Sequence, residues 1–258
     1  MYEVKQGDCL ELMKSIEDNS INLILADLPY GVTECEWDQV IPFSPLWSQY
    51  ERIISPNGAI ILFSMQPFTA ALINSNTKIF RYELIWEKPA ATGFLNAKIQ
   101  PLRAHENILV FYKRIPTYNP IKTTGHKRQR ATRRKVGSAV YGKQLTNLDY
   151  DSTERYPRSV LCFSNDRQKS SIHPTQKPVA LCEYLIKTYS NKGDTVLDNV
   201  MGSASTGVAC INTERHFIGF EKNEQYFTDA SERLRLAQYE FDHGVKQQLL
   251  FEEEDCQI

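Results

Sequence analysis

Residues 195–221 read TVLDNVMGSASTGVACINTERHFIGFE, two short apolar runs separated by a glycine turn and a helix-forming stretch. The compositions of residues 195–198 and 216–220 are typical of buried strands. Residues 204–212, which lie between them, predict a helix that begins at the turn. A strand, a helix and a second strand in this order predict a βαβ unit, whose strands run parallel in one sheet.

The rest of the chain shows the same alternation of strands and helices. Two further helices are predicted, one beginning at Pro178 and one over residues 223–239. With the strands of the βαβ unit, the pattern predicts an α/β fold with a mixed, mostly parallel seven-stranded sheet and helices on both faces. The long connection 87–106 leaves open whether the strands on either side of it run antiparallel at an edge. The five predicted strands before the βαβ unit are 2–4, 21–26, 59–63, 82–86 and 107–112.

Charge is distributed unevenly along the chain, although the net charge of the 258 residues is only −1. Residues 113–170 carry 14 Lys and Arg against four acids, a net charge of +10, and the remainder carries −11. A basic block in an acidic host is typical of a surface that contacts a polyanion. A solvated loop rich in Lys and Arg is the alternative interpretation.

Apolar runs and cysteine spacing argue against several classes of protein. The longest apolar runs, such as 21–26 and 59–63, are far shorter than the roughly 20 residues that cross a bilayer. The N-terminal segment lacks a basic-then-apolar export signal, so the sequence predicts a cytoplasmic protein without membrane contact. The six cysteines form no C-x-x-C pair, and His173 has no second ligand at a useful spacing. Reduced thiols are therefore predicted, with neither disulfides nor a metal site.

The glycine turn at residues 202–207 is placed to bind a nucleotide-like ligand. It follows a strand and opens a helix, where glycine lets the backbone come close and the helix N-terminus offers free N–H groups. Ala204 stands where a dinucleotide fingerprint needs its second glycine, which disfavours a pyrophosphate. Glu221, 19 residues after Gly202, ends the next strand and is placed to accept hydrogen bonds from ribose hydroxyls. An ordinary strand-to-helix turn and a helix-start acid are the alternatives for Gly202 and Glu221.

Asp8 has two interpretations. It is suited to cap the helix that follows the first strand, with Glu11 as its reciprocal partner. Its position at the C-terminal end of that strand is also suited to face the adenine of a nucleotide-like ligand. The two roles are compatible.

The apolar strand 21–26 leads directly into Asp27-Leu28-Pro29-Tyr30-Gly31. This places an acid, a proline and an aromatic ring at the edge of the sheet where open α/β folds bind ligands. Asp27-Leu28-Pro29-Tyr30 resembles the D-P-P-Y motif of DNA amino-methyltransferases, with Leu28 in place of the first proline. By itself, a D-x-P-Y string is more often a strand-ending turn.

Two further motifs extend this resemblance over nearly the whole chain. Residues 198–205 resemble the D-P-F-x-G-S-G-T cofactor loop of the same family, and residues 173–178 match its H-P-T-Q-K-P segment. Asn199-Val200 and Ala204 depart from the cofactor loop. The order of catalytic motif, basic region and cofactor loop resembles the permuted, β-type class.

The resemblance implies a Rossmann-like methyltransferase fold that binds S-adenosylmethionine. Its catalytic residues would be Asp27, Leu28, Pro29 and Tyr30: the Asp27 carboxylate and the Leu28 carbonyl accept N–H bonds of an exocyclic amino group, and Tyr30 stacks on the extruded base. Thr175 and Lys177 precede a helix N-terminus, a place suited to the methionine carboxylate of the cofactor. The full set of implied cofactor residues is Asp8, Asp27, His173, Thr175, Lys177, Asp198, Asn199, Gly202, Ser203, Ala204, Ser205, Glu221 and Lys222.

The resemblance also divides the chain. Residues 1–112 and 171–240 are expected to form the catalytic domain, 113–170 the target-recognition insert, and 241–258 a tail. Double-stranded DNA is the expected partner, and a homodimer and a cognate restriction endonuclease are left open. The predicted DNA-binding residues are Lys127, Arg128, Arg130, Arg133, Arg134 and Lys135.

Adenine N6 is the expected target because Asp27 begins the catalytic motif, whereas members that act on cytosine N4 more often carry serine there. Cytosine N4 is the nearest alternative. A DNA-binding protein that has lost catalysis is a second alternative, suggested by Leu28 and Ala204. A nicotinamide-dependent oxidoreductase is a third, which Ala204 disfavours.

Overall fold

A computed structural model describes residues 1–31, 38–133, 137–138, 142–143, 148–164 and 176–244. The chain divides into two compact units. The first unit comprises residues 1–119 and 159–258, and the second comprises residues 120–158. The predicted insert was longer, 113–170, and its role in target recognition stays a prediction.

The first unit is an α/β structure. Its strands are β1 (Tyr2–Gln6), β2 (Ile21–Ala26), β3 (Ile54–Ser64), β4 (Phe80–Thr92), β5 (Arg103–Phe111), β10 (Val160–Cys162), β11 (Thr195–Asp198) and β12 (His216–Glu221). Its helices are α1 (Cys9–Met13), α2 (Phe43–Ile53), α3 (Phe68–Ser75), α4 (Val179–Tyr189), α5 (Ser205–Thr213) and α6 (Glu224–His243). A short 3₁₀ helix spans Phe94–Asn96. Helix α6 continues beyond the predicted end of the catalytic domain at residue 240, and residues 245–258 lie outside the described part of the chain.

The strands of this unit form one mixed sheet in the order β1-β12-β11-β2-β3-β5-β4-β10. The neighbours from β1 to β3 are parallel, and β5 is antiparallel to both β3 and β4. The predicted βαβ unit is therefore confirmed as β11-α5-β12, and the strands on either side of the long connection are antiparallel.

The prediction of seven strands was wrong by one, because β10 adds an eighth strand. This strand pairs in parallel with β4, opposite residues 85–87. Leu161 is buried, and the indole N–H of Trp86 donates to the carbonyl of Phe163 at 2.9 Å. Three residues are too few for an alternating pattern to appear in the sequence.

Both faces of the sheet are buried, which explains why the central strands are apolar at nearly every position. On one face, side chains such as Leu23 pack with α4, α5 and α6. On the other face, side chains such as Ile24 pack with α1, α2 and α3. Helices on both faces were predicted, and the two cores confirm them.

Helix α5 lies unusually close to its neighbours at Gly207. A Cβ on this residue would lie 2.6 Å from Cδ2 of Leu234 in α6 and 2.7 Å from Cε1 of Phe217 in β12. Such distances are far below van der Waals contact, so a Cβ at this position would displace the side chains of Leu234 and Phe217. This close packing fixes where the N-terminus of α5 meets the sheet.

In the part of the second unit that the structure describes, there are four short strands, β6 (Gln129–Arg133), β7 (Gly137–Ser138), β8 (Gly142–Lys143) and β9 (Leu148–Ser152). Strand β6 pairs antiparallel with β9, and β7 pairs antiparallel with β8. An isolated antiparallel bridge joins Thr123 to Arg155.

Candidate active site

A cavity of ≈ 1120 Å³ opens at the C-terminal ends of β1, β2, β11 and β12 in the first unit. Asp27 follows β2 and Gly202 follows β11, and both residues line this cavity. The structure thus brings together two segments that are far apart in the sequence. The other predicted site residues that line it are Asp8, Leu28, Pro29, Tyr30, Lys177, Asp198, Asn199, Ser203, Ser205, Glu221 and Lys222.

The glycine turn is bent sharply at two residues. Gly202 has φ 48° and Ala204 has φ 58°, both in the left-handed region. Ala204 is fully buried, caps α5 and is not among the residues that line the cavity. A left-handed alanine is strained by about 1–2 kcal/mol, which is why a glycine is the usual residue in this conformation.

Glu221 holds the turn from the end of β12. Its Oε2 accepts the backbone N–H of Gly202 at 3.1 Å, and its Oε1 accepts the backbone N–H of Asn223 at 2.8 Å. Each carboxylate oxygen has further acceptor capacity beyond these bonds. Glu221 therefore stabilises the start of α6 and is also placed to accept hydrogen bonds from ligand hydroxyls.

Asp198 is a buried acid at the end of β11. Its Oδ1 accepts the backbone N–H of Val200 at 3.2 Å. Burial raises the pKa of its carboxyl to about 7, and the negative charges of Asp27 and Glu221 add to this shift. The next residue, Asn199, accepts the hydroxyl of Tyr50 at 2.6 Å in the core. The cavity therefore contains an acid that a positively charged ligand would favour in its ionised form.

Asp8 caps α1, as one of its two interpretations predicted. Its side chain accepts the backbone N–H of Leu10 at 2.9 Å. Glu11 binds the ammonium of Lys14 at 2.7 Å, so the expected reciprocal partner is engaged elsewhere. The Nζ of Lys222, which follows the adjacent parallel strand β12, lies 3.8 Å from Oδ2 of Asp8.

At the predicted catalytic motif, both carboxylate oxygens of Asp27 are engaged by side chains. The hydroxyl of Tyr30 donates to Oδ1 at 2.5 Å, and the ammonium of Lys177 contacts Oδ2. The ring of Tyr30 stacks on Phe68 with centroids 5.1 Å apart. Burial raises the pKa of the Tyr30 hydroxyl well above its usual value, and the charge of Asp27 adds to this. The side chain of Leu28 is buried in the core, which leaves its backbone as the part available to a substrate.

Lys177 lies beside Asp27, although the sequence suggested a contact with the methionine carboxylate of the cofactor. Its side chain is 9% exposed, and its Nζ also lies 3.4 Å from Oε2 of Glu106. Burial disfavours the charged ammonium, but the carboxylates of Asp27 and Glu106 outweigh this and raise the pKa of Lys177. The contact with the cofactor stays a prediction.

Sequence reasoning did not find Glu106 and Lys88, which line the same cavity. The two side chains form an ion pair, and both are nearly buried. Burial alone would raise the pKa of Glu106, but the ammoniums of Lys177 and Lys88 outweigh it and lower that pKa. Glu106 lies in the polar first half of β5, beside His105 and Asn107, so no pattern in the sequence singles it out.

Several predicted residues lie outside the described part of the chain: His173, Thr175, Arg134 and Lys135. The side chain of Arg133 is likewise not described. Within the second unit, Lys127 is exposed, and Arg128 and Arg130 both form ion pairs with Asp151, at 2.6 and 3.1 Å.

Among the described residues, four cysteines are free thiols and no cluster of potential metal ligands occurs. Within the same residues, the structure contains no helix that is both long and apolar enough to span a bilayer.

Comparisons with known proteins identify the family. The family model described as DNA methylase, for N6 and N4 enzymes, matches residues 21–232. The type II methyltransferase M.HpaI of Haemophilus parainfluenzae is 29% identical over 242 residues, which cover 88% of this chain and 72% of that protein. The type II methyltransferase M1.MboII of Moraxella bovis is 27% identical over 255 residues, which cover 89% of this chain and 95% of that protein.

Solved structures show the same fold. The complex of M1.HpyAVI with S-adenosylmethionine (SAM) has a TM-score of 0.62 and 25% identity, over 91% of this chain and 100% of that one. The cytosine-N4-specific PvuII DNA methyltransferase has a TM-score of 0.66 at 17% identity, over 94% of this chain and 93% of that one. The expected Rossmann-like methyltransferase fold is thereby confirmed.

Proposed function

Because the chain belongs to the family of N6 and N4 DNA methylases, whose members methylate DNA with S-adenosylmethionine, we propose that it methylates the N6 amino group of adenine in double-stranded DNA. The observation that carries this proposal is that Asp27 and the glycine turn border one cavity. The first residue of the motif is an aspartate, Asp27, whereas the enzymes that act on cytosine N4 more often carry serine there. This difference favours adenine over cytosine.

The cavity fits S-adenosylmethionine in its chemistry. The cofactor has no phosphate, so the methyl group of Ala204 at the turn does not obstruct it. Asp198 and Glu221 provide negative charge and acceptor atoms on the side of the glycine turn. When bound, the cofactor supplies a methyl group on a positively charged sulfonium.

Asp27 and the Leu28 carbonyl are the acceptors for the amino group of the target base. The lone pair of an exocyclic amino nitrogen is delocalised into the ring, and accepting its N–H bonds favours the pyramidal nitrogen that attacks the methyl carbon. Tyr30 offers a ring face for a base that has left the duplex, since the target atom is hard to reach inside the stack. Because Asp27 and the glycine turn border one cavity, they would hold the base and the cofactor close together, and such positioning would supply much of the acceleration.

The reaction moves one methyl group and one positive charge. The bond between nitrogen and the methyl carbon forms while the bond from carbon to sulfur breaks with its electron pair on sulfur. The amino nitrogen then loses a proton to solvent. No covalent adduct with the protein is needed, so no cysteine nucleophile is required.

Labelled methyl transfer to plasmid DNA, followed by digestion to nucleosides, tests the proposal. We expect labelled N6-methyldeoxyadenosine. Labelled N4-methyldeoxycytidine would instead support the cytosine alternative. Cofactor binding by calorimetry without transfer to DNA would support a protein that has lost catalysis.

The type II relatives motivate a further part of the proposal, a modification role beside a cognate restriction endonuclease. This role is supported if the host DNA resists cleavage by a nuclease that recognises the same sequence as the methyltransferase. A homodimer stays a prediction.

A further inference from the structure

Four charged side chains form a continuous chain along one wall of the cavity. Lys177 contacts Asp27 and Glu106, and Glu106 also contacts Lys88. The exposed fractions of the side chains are 24% for Asp27, 9% for Lys177, 12% for Glu106 and 10% for Lys88. Two carboxylates and two ammoniums sum to zero charge.

Aromatic rings pack against the two ammoniums of this chain of charges. The Nζ of Lys177 lies 5.2 Å from the ring centroid of Phe63, and the Nζ of Lys88 lies 4.8 Å from that of Trp86. Charges that are poorly screened by water act strongly on one another. A change in any one of them will therefore be felt at Asp27.

The ammonium of Lys177 creates a problem for the proposed reaction. In the proposed reaction, positive charge would develop on the amino nitrogen of the base, whose N–H would donate a hydrogen bond to Asp27. A carboxylate stabilises the arriving charge, whereas a neighbouring ammonium opposes it. Without a second carboxylate nearby, the ammonium of Lys177 would cancel the stabilisation that the Asp27 carboxylate provides.

We propose that Glu106 is a positioning residue that holds Lys177 and offsets its charge, so that the Asp27 carboxylate stabilises the charge arriving on the base. Lys88 in turn fixes Glu106 and neutralises the excess negative charge. The inference rests on the proposed function, because it assigns Asp27 the role of acceptor. It adds two residues, Glu106 and Lys88, that no sequence motif contains.

The test compares Glu106→Gln with the double variant Glu106→Gln, Lys177→Met, which also removes the ammonium that faces Asp27. The single variant leaves the cluster with one excess positive charge, and we expect kcat to fall about 10- to 100-fold, less than the loss typical of a donor that touches the reacting atoms. Calorimetry should give a Kd for S-adenosylmethionine within about twofold of the wild type, since Glu106 acts at the base and not at the glycine turn. The double variant restores neutrality and should recover most of the lost kcat.

Glu83→Gln is the matched control, because Glu83 lies on the neighbouring strand β4, outside the cavity lining, and bonds Asn107 at 3.0 Å. Wild-type kcat in Glu106→Gln would overturn the inference. So would an equal loss of kcat in the single and double variants, because a purely structural role gains nothing from restored neutrality. If Glu106→Gln does not fold, the double variant still decides, since its cluster carries no net charge and the inference requires kcat to stay within about tenfold of the wild type. Absence of transfer in the wild type would instead contradict the proposed function itself.

Discussion

The ammonium of Lys177 contacts the carboxylate of Asp27, although 150 residues separate them in the chain. Lys177 precedes α4, and Asp27 follows β2, whose neighbour in the sheet is β11. The contact exists because β2 and β11 are adjacent and parallel, which places the segment before α4 beside the tip of β2. It joins the catalytic motif to the segment that resembles the family's H-P-T-Q-K-P.

Glu221→Ala is expected to weaken binding of S-adenosylmethionine. The variant removes a charged acceptor for the ribose hydroxyls and the support of the Gly202 N–H. Hydrogen bonds to charged groups contribute about 1.5–3 kcal/mol each, so the Kd should rise about 10- to 100-fold. Calorimetry measures this, and DNA affinity measured in parallel should stay unchanged. A variant whose main defect is in duplex affinity would show that the ribose role is wrong.

Cofactor affinity should depend on pH through Asp198. The pKa of its buried carboxyl is raised to about 7, so it is neutral below pH 7 and charged above. A positively charged sulfonium favours the charged form, and the Kd should therefore fall as pH rises from 6 to 8, by at most about tenfold per pH unit. Asp198→Asn should flatten this profile in calorimetric titrations. An identical pH profile in Asp198→Asn would assign the dependence to another group.

Gly207→Ala should destabilise the protein. The added Cβ would overlap Leu234 and Phe217, and overpacking of this kind costs about 1–3 kcal/mol. Denaturant unfolding should show a lower free energy of unfolding. Asn212→Ala, an exposed position on the same helix, should change that free energy by no more than about 0.5 kcal/mol. Equal stability of Gly207→Ala and the wild type would contradict the close packing of α5.

DNA affinity should fall steeply with salt, because the basic residues of 113–170 are predicted to neutralise phosphates. Six or more phosphate contacts would cost about 10³-fold or more in affinity between 50 and 200 mM salt. Lys127→Ala should reduce the slope of log affinity against log salt by about one, whereas Lys14→Ala, in the first unit and paired with Glu11, should not. Fluorescence anisotropy with a labelled duplex gives both slopes. A flat response between low and moderate salt would contradict this surface.

The sequence predicts those features that depend on neighbours along the chain. The βαβ unit, the acid at the end of β2 and the glycine turn each have a local pattern, and parallel strands bring their C-terminal ends to one edge. Glu106 and Lys88, which complete the charge cluster at Asp27, do not have such a pattern. Glu106 is one of several polar residues in the first half of β5, and its significance depends on two lysines that are distant in sequence. Strand β10 was missed because three residues are too short to show periodicity.

The central claim is that Asp27 acts on the target base while the glycine turn binds the cofactor in the same cavity. The most direct measurement is labelled methyl transfer to DNA by Asp27→Ala, with calorimetric titration of S-adenosylmethionine into the same protein. Glu106 still neutralises Lys177 in this variant, so the fold should persist. We expect transfer to disappear and the Kd for the cofactor to stay within about twofold of the wild type. Loss of cofactor binding in parallel with transfer would show that Asp27 has a structural role, and would contradict the account.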